Sequence, residues 1–214
     1  MKNILKIYSK YKIMPSLGEH QLRVAAVAKQ ICDSISKSLD VNGVVNVCLV
    51  HDMGNIIKSD LMYFPDFLEP EGLEYWQTIK DTFIEKYGAN EHIATEIIAK
   101  EIGLSDIKLK YLSTIGFSKI KLVLKKGTIE QKICCYADQR VGPYGVLSIE
   151  KRIKEGKKRY TGIKNNNMAI TIEKYENLVL SLKELEKQVF SHSSILPRNI
   201  NDESIKSIIL ELKK

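Results

Sequence analysis

Apolar residues recur with the period of an α-helix along most of this chain. In the segment GEHQLRVAAVAKQICDSI, which begins at Gly18, apolar side chains share one broad helical face, and Arg23 and Lys29 fall on its rim. The same period predicts further helices over residues 41–51, 73–87, 90–102, 105–113, 128–140, 171–190 and 202–213. No segment shows the alternation of a half-buried strand, so the sequence predicts an all-α protein.

Stretches rich in proline, glycine and asparagine divide the helical segments. They are MPSLG at 14–18, YFPDFLEPEG at 63–72, RVGPYG at 140–145 and YTGIKNNN at 160–167. The last of these is the best candidate for a domain boundary, because a long amphipathic segment follows it. We therefore expect a compact helical bundle over residues 1–165 and a C-terminal helical extension, residues 166–214, packed on it.

Composition narrows the class of protein. The chain has 214 residues, of which 44% are hydrophobic, enough to fill a substantial core. Lysines interrupt the N-terminal segment, and no apolar run has the ~18 residues of a membrane span, so we expect a soluble, cytoplasmic protein without a membrane partner. The net charge of +7 favours an anionic substrate or partner, with phosphate compounds and RNA both open.

Polar residues stand at the ends of two apolar runs. VVNVCLVHDMGN, residues 44–55, stops on His51 and Asp52, and KICCYADQR stops in the same way on Asp138. A carboxylate at the end of a buried segment is costly unless it is paired or bound to a metal. Together with His20, these residues supply two imidazoles and two carboxylates, which suit a divalent ion with open positions for water. That combination predicts hydrolytic chemistry on a phosphoryl group.

Motifs around these four residues resemble those of the HD-domain metal-dependent phosphohydrolases. The resemblance rests on LGEHQLRVAAVA, CLVHDMGNI and YADQRVGP, in that order, and extends over about residues 14–160. It implies a helical bundle of the HD-domain type in which one divalent ion (Mn, Co, Ni, Mg, Fe or Zn) is held by His20, His51, Asp52 and Asp138. Binuclear relatives, including some oxygenases, add two histidines before the last aspartate. Only His92 lies there, which favours a single metal and disfavours oxygenase chemistry.

A phosphate beside this metal would need cationic or donor groups around it. Lys58 and Arg140 are the preferred candidates, and Arg23 and His92 are the others; each has an ordinary surface or structural role as its alternative. The general acid or base stays unassigned, because Glu19, Glu91 and Asp52 itself all suit the role.

The expected function is metal-dependent hydrolysis of a phosphate ester of a nucleotide or a related small molecule. The alternatives are a phosphodiesterase acting on a cyclic nucleotide or RNA ends, and a non-catalytic HD-fold module that binds or regulates. The basic segment EKRIKEGKKRY, residues 150–160, keeps RNA open as a partner, although no RNA-binding motif supports it. A solvated helix face, with Glu150 and Glu155 among the basic residues, is the favoured interpretation of this segment. A homo-oligomer also stays open.

The aromatic stretch MYFPDFLEPEGLEYW, residues 62–76, has two interpretations. It is either a lid whose aromatic side chains stack on a base or a set of residues that fills a gap between helices. The packing interpretation is favoured. The residues concerned are Tyr63, Phe64, Phe67 and Trp76.

Overall fold

Eleven α-helices make up the regular structure of the part of the chain that the computed structural model describes, residues 3–162 and 172–214. The first six are α1 (Ile4–Lys10), α2 (Pro15–Asp33), α3 (Val41–Cys48), α4 (Gly72–Tyr87), α5 (Glu91–Glu101) and α6 (Asp106–Leu112). The others are α7 (Ile120–Lys126), α8 (Ile129–Gln139), α9 (Ile149–Gly162), α10 (Ile172–Phe190) and α11 (Asp202–Leu212). The all-α prediction is confirmed.

Short 3-10 helices shape several of the connections. Among the described residues they are Asn55–Lys58, Pro65–Leu68, Phe117–Lys119 and Pro197–Asn199. None of the helices in that part of the chain has both the length and the hydropathy needed to cross a bilayer.

Two helix boundaries differ from those predicted. Pro15, which the sequence placed in a loop, is the first residue of α2, where its fixed φ and missing N–H are tolerated. Helix α3 ends at Cys48, so His51 lies in the turns that follow the helix. Helices α1 and α7 were not predicted. The predicted domain boundary at residues 165 and 166 lies outside the described residues.

Helix α2 is the centre of the bundle and packs against α3, α8 and α11. Its middle section is fully buried, and the small side chains of Ala25, Ala26 and Ala28 let neighbouring helices approach closely. Helices α3 and α8 also pack against each other. The three elements that carry the predicted metal ligands are therefore mutual neighbours.

Helix α1 supports the turn that follows α3. The buried hydroxyl of Tyr8 donates a hydrogen bond of 2.7 Å to the carbonyl oxygen of Leu49. This carbonyl belongs to the end of α3, where the backbone oxygens have no partner within the helix. The contact fixes the chain two residues before His51.

Candidate metal centre

The structure brings four of the sequence-predicted residues together between α2, α3 and α8. His20 lies near the start of α2, His51 and Asp52 lie in the turns after α3, and Asp138 is the penultimate residue of α8. Ligand atoms of the first three all lie within 4.8 Å of one another. The Oδ1 atom of Asp138 is 3.5 Å from Nε2 of His20 and 3.4 Å from Nε2 of His51.

His51 is oriented for coordination. Its Nδ1 lies 2.8 Å from the carbonyl oxygen of Cys48, and because a carbonyl can only accept, Nδ1 carries the proton. Its Nε2 is buried without a hydrogen-bond partner, and lies 3.6 Å from Oδ2 of Asp52. A buried nitrogen that faces two carboxylates in this way is costly unless a cation or proton lies between them. These residues therefore fit a divalent ion.

The pKa values of His51 and Asp138 also indicate that the site favours a positive charge. Burial lowers the pKa of His51, but the charges of Asp52 and Asp138 outweigh this effect and raise the pKa to about 9. Burial also raises the pKa of Asp138, yet the nearby imidazoles of His20 and His51 hold that pKa well below its usual range. A divalent cation satisfies the same carboxylates and would displace the proton from His51 on binding.

Three amide side chains that were not predicted to belong to the site hold the carboxylates and the turn in place. Asn55 donates to Oδ2 of Asp52 over 3.0 Å, and Gln139 donates to Oδ2 of Asp138 over 2.7 Å. Gln21 is fully buried and accepts from the backbone N–H of Asp52 at 3.1 Å. Partners of this kind orient ligands around a metal. The sequence feature that could have predicted this role is position, since each of the three amides lies within three positions of a candidate ligand.

Gly54 allows α5 to pack directly on the ligand-bearing turn. Its N–H donates to the buried hydroxyl of Thr95 over 2.9 Å. A Cβ atom at Gly54 would lie 2.5 Å from the carbonyl oxygen of Glu91 and 2.8 Å from Cβ of Ala94. Only glycine fits this close approach, which brings the start of α5 beside Asp52.

The comparison with known families agrees with this geometry. A family model described as HD domain matches residues 9–97, a segment that includes His20, His51 and Asp52. Residues 9–97 of the chain are therefore similar to the HD domain family. HD domains bind divalent metal ions and are commonly metal-dependent phosphohydrolases. The fourth clustered residue, Asp138, lies beyond the matched segment, and no curated protein and no solved structure matches the chain.

Lys58 lies close enough to the carboxylates of the metal centre to interact with their charges. Its Nζ lies 3.3 Å from Oε1 of Glu91, and half of its side chain is exposed. Partial burial lowers the pKa of Lys58, but the charges of Asp52 and Glu91 outweigh it, so the net shift is upward and the amine stays protonated at neutral pH. Glu91, one of the acid–base candidates, thus lies beside the metal centre.

The other sequence-predicted residues, Arg23, His92 and Glu19, pair with neighbouring side chains. The Nε atom of Arg23 is 3.8 Å from Oδ1 of Asp202, and the exposed His92 approaches Glu91 at 3.5 Å. His92 is not part of the metal cluster found among the described residues. Glu19 accepts a hydrogen bond of 2.6 Å from Lys213 near the C-terminal end of α11.

Arg140 differs most from its predicted role. It is buried, with 2% of its surface exposed. Its five N–H groups donate to the carbonyl oxygens of Leu147, Pro197 and Ile200 and to the hydroxyl of Tyr136. Because a guanidinium has five such donors, none is left for a phosphate.

Proposed function

We propose that this protein is a metal-dependent phosphohydrolase that acts on a phosphate ester of a nucleotide or a related small molecule. The observation that carries the proposal is the buried, unpartnered Nε2 of His51, which faces carboxylate oxygens of Asp52 and Asp138 at 3.6 and 3.4 Å. His20 completes a set of two imidazoles and two carboxylates. This set suits one divalent ion and leaves coordination positions for water and substrate.

A bound ion would supply a water of lowered pKa and polarise a phosphoryl oxygen. The chain's own residues would hold the reacting groups in place. Asn55 and Gln139 fix the two carboxylates through hydrogen bonds, so that their oxygens face the imidazoles. Such prior ordering reduces the reorganisation that the reaction requires.

Lys58 would balance the charge of the phosphate. An ammonium group has three donors, so its contact with Glu91 leaves donors for a phosphoryl oxygen. The same contact restrains the long side chain beside Asp52. Because Lys58 is half exposed, an incoming substrate can reach it. Charge developing on the phosphoryl oxygens in the transition state would then meet a cation already in position.

Metal analysis and phosphate release test the proposal together. We expect the purified protein to bind a divalent ion and, with added Mn, Co, Ni or Mg, to release phosphate from members of a panel of nucleotides and other phosphomonoesters. Metal binding without release from any phosphomonoester, cyclic nucleotide or RNA end would support a regulatory module instead. Absence of both metal binding and release would overturn the proposal.

Replacing Lys58 by methionine should lower kcat/KM by roughly 100-fold, the usual effect of removing one donor to a transition-state oxyanion. Methionine keeps much of the length of the side chain but removes the charge. Metal content should stay unchanged, because Lys58 is not among the clustered ligands. Steady-state kinetics and metal analysis of the same preparation measure the two effects.

Lys100 offers a matched control for this substitution. Its Nζ pairs with Glu96 at 2.6 Å on α5, and its side chain is about as exposed as that of Lys58. Lys100→Met removes a lysine–glutamate pair at a distance from the metal ligands, so kcat/KM should not change. If both variants lose activity equally, Lys58 has no specific role at the phosphate.

A further inference from the structure

Four aromatic rings from two distant segments form one cluster, here termed the aromatic platform: Tyr63, Phe64, Phe67 and Tyr144. Phe64 contacts Tyr63 at 4.7 Å and Phe67 at 5.0 Å between ring centroids. Tyr144 approaches Phe64 at 6.0 Å and Phe67 at 5.4 Å. These distances are those of favourable aromatic contacts. Tyr63, Phe64 and Phe67 belong to the aromatic stretch at residues 62–76, whereas Tyr144 lies in the loop RVGPYG at residues 140–145.

The two tyrosines of the aromatic platform are open to solvent. Tyr63 is 47% exposed and Tyr144 is 67% exposed. Trp76 behaves differently: it is 3% exposed, and its indole N–H donates to the carbonyl oxygen of Leu68. The packing interpretation therefore suits Trp76, but filling a gap between helices does not explain Tyr63 and Tyr144.

Each segment of the aromatic platform follows a residue of the metal centre in the sequence. The segment with Tyr63 continues from Asp52 through the short helix Asn55–Lys58. The segment with Tyr144 continues from Asp138; the two positions are six apart in the sequence, so the chain between them spans at most ~20 Å. The chain also folds back there, since the N–H of Gly142 donates to the carbonyl oxygen of Gly145 over 2.8 Å.

Further contacts place the Tyr144 loop on the His20 side of the centre. The N–H of Val146 donates to the carboxylate of Asp202 at 3.1 and 3.2 Å. Asp202 in turn pairs with Arg23, which lies one helical turn after His20. The aromatic platform thus joins loops that approach the metal centre from the Asp52 side and from the side of His20 and Asp138.

We propose that the aromatic platform binds the base of a nucleotide, with Tyr144 as the specificity-determining residue. This inference rests on the proposed function and names the substrate class of that site: a nucleoside phosphate rather than a sugar or glycerol phosphate. An exposed tyrosine ring offers a flat face to any base, and each base stacked on an aromatic side chain strengthens binding about 5- to 150-fold. Phosphate at the metal centre and base on the aromatic platform would then be held by separate groups.

Nucleosides without phosphate test the aromatic platform independently of hydrolysis. Binding of the four ribonucleosides is measured by saturation-transfer NMR and titration calorimetry, and KM is measured for the 5′-monophosphates and for ribose 5-phosphate. Tyr144→Ala should weaken nucleoside binding about 10-fold and raise KM for the nucleotides by a similar factor. KM for ribose 5-phosphate should stay unchanged, and Tyr144→Phe should keep wild-type values because it retains the ring.

Tyr75→Ala serves as the matched control, because Tyr75 is an exposed tyrosine whose ring packs against Trp76 instead. It should leave nucleoside binding and KM unchanged. Nucleoside binding and KM that do not respond to Tyr144→Ala would overturn the inference. Nucleoside binding that depends on Tyr144, without phosphate release from any substrate, would support the base site and overturn the proposed phosphohydrolase. Release that is equally fast from ribose 5-phosphate and nucleotides, with equal KM, would overturn the base site alone.

Discussion

An Asp138→Asn variant is expected to bind a divalent ion more than ~100-fold less tightly than the wild type and to release phosphate at the background rate. Loss of a partner that only orients a ligand already costs ~10–100-fold in affinity, and loss of a charged ligand should cost more. Asparagine has nearly the shape of aspartate and lacks only its charge. Isothermal titration with Mn or Co, together with a phosphate-release assay, measures both effects.

Asp138 is the most informative of the four candidate ligands to change. It lies outside the segment that matches the HD domain family model, and α8 brings it to within 3.5 Å of both imidazoles. The compact group of His20, His51 and Asp52 could hold an ion by itself. Wild-type affinity in Asp138→Asn would therefore restrict the metal centre to those three residues.

Asp33→Asn is a suitable control for this experiment. Asp33 ends α2 and accepts a hydrogen bond of 2.7 Å from Lys29 at the surface. The substitution removes one carboxylate charge from the same bundle at a site remote from the ligand cluster. Metal affinity should not change, and the free energy of unfolding should fall by less than ~1 kcal/mol, as expected for a surface pair.

Helix α2 was predictable because its apolar face follows the helical period over many residues. Helix α7, IKLVLKK, was not, because seven residues carry too little periodic signal and its stability comes from packing against α10. The predicted end of α3, at residue 51, was three residues too late, because the apolar run continues beyond the helix. Leu49 and Val50 continue the apolar run and are buried, but a hydrogen bond from the distant Tyr8 satisfies the Leu49 carbonyl in the turn.

The clustering of His20, His51, Asp52 and Asp138 was predictable because each lies in a distinctive local context, and three helical elements bring these residues together. Arg140 shows the opposite case. It lies two positions after Asp138, which made a phosphate contact plausible, but its acceptors include backbone carbonyl oxygens of Leu147, Pro197 and Ile200. A backbone carbonyl leaves no trace in the residue type, so only the folded chain shows this role.

Arg140→Met is expected to lower the free energy of unfolding by ~3–5 kcal/mol, the usual cost of removing one partner from a buried charged network. The guanidinium lies against the ring of Tyr136, whose hydroxyl accepts from Arg140 and donates to Glu186 on α10 over 2.5 Å. Removing it leaves the carbonyl oxygens of Pro197 and Ile200 without these donors. Because α8, α10 and the segment before α11 all meet at this side chain, thermal unfolding should begin at lower temperature.

Comparison with two further variants separates a structural role of Arg140 from a phosphate contact. Arg140→Lys should recover little stability, because a single ammonium cannot reproduce the planar fork of donors. Arg198→Met removes an exposed arginine next to Pro197 and should change the unfolding free energy by less than ~0.5 kcal/mol. Denaturant titration at a temperature where every variant is folded gives the stabilities, and kcat/KM is measured there as well. An Arg140→Met protein with wild-type stability and greatly reduced kcat/KM would assign the side chain to the substrate instead.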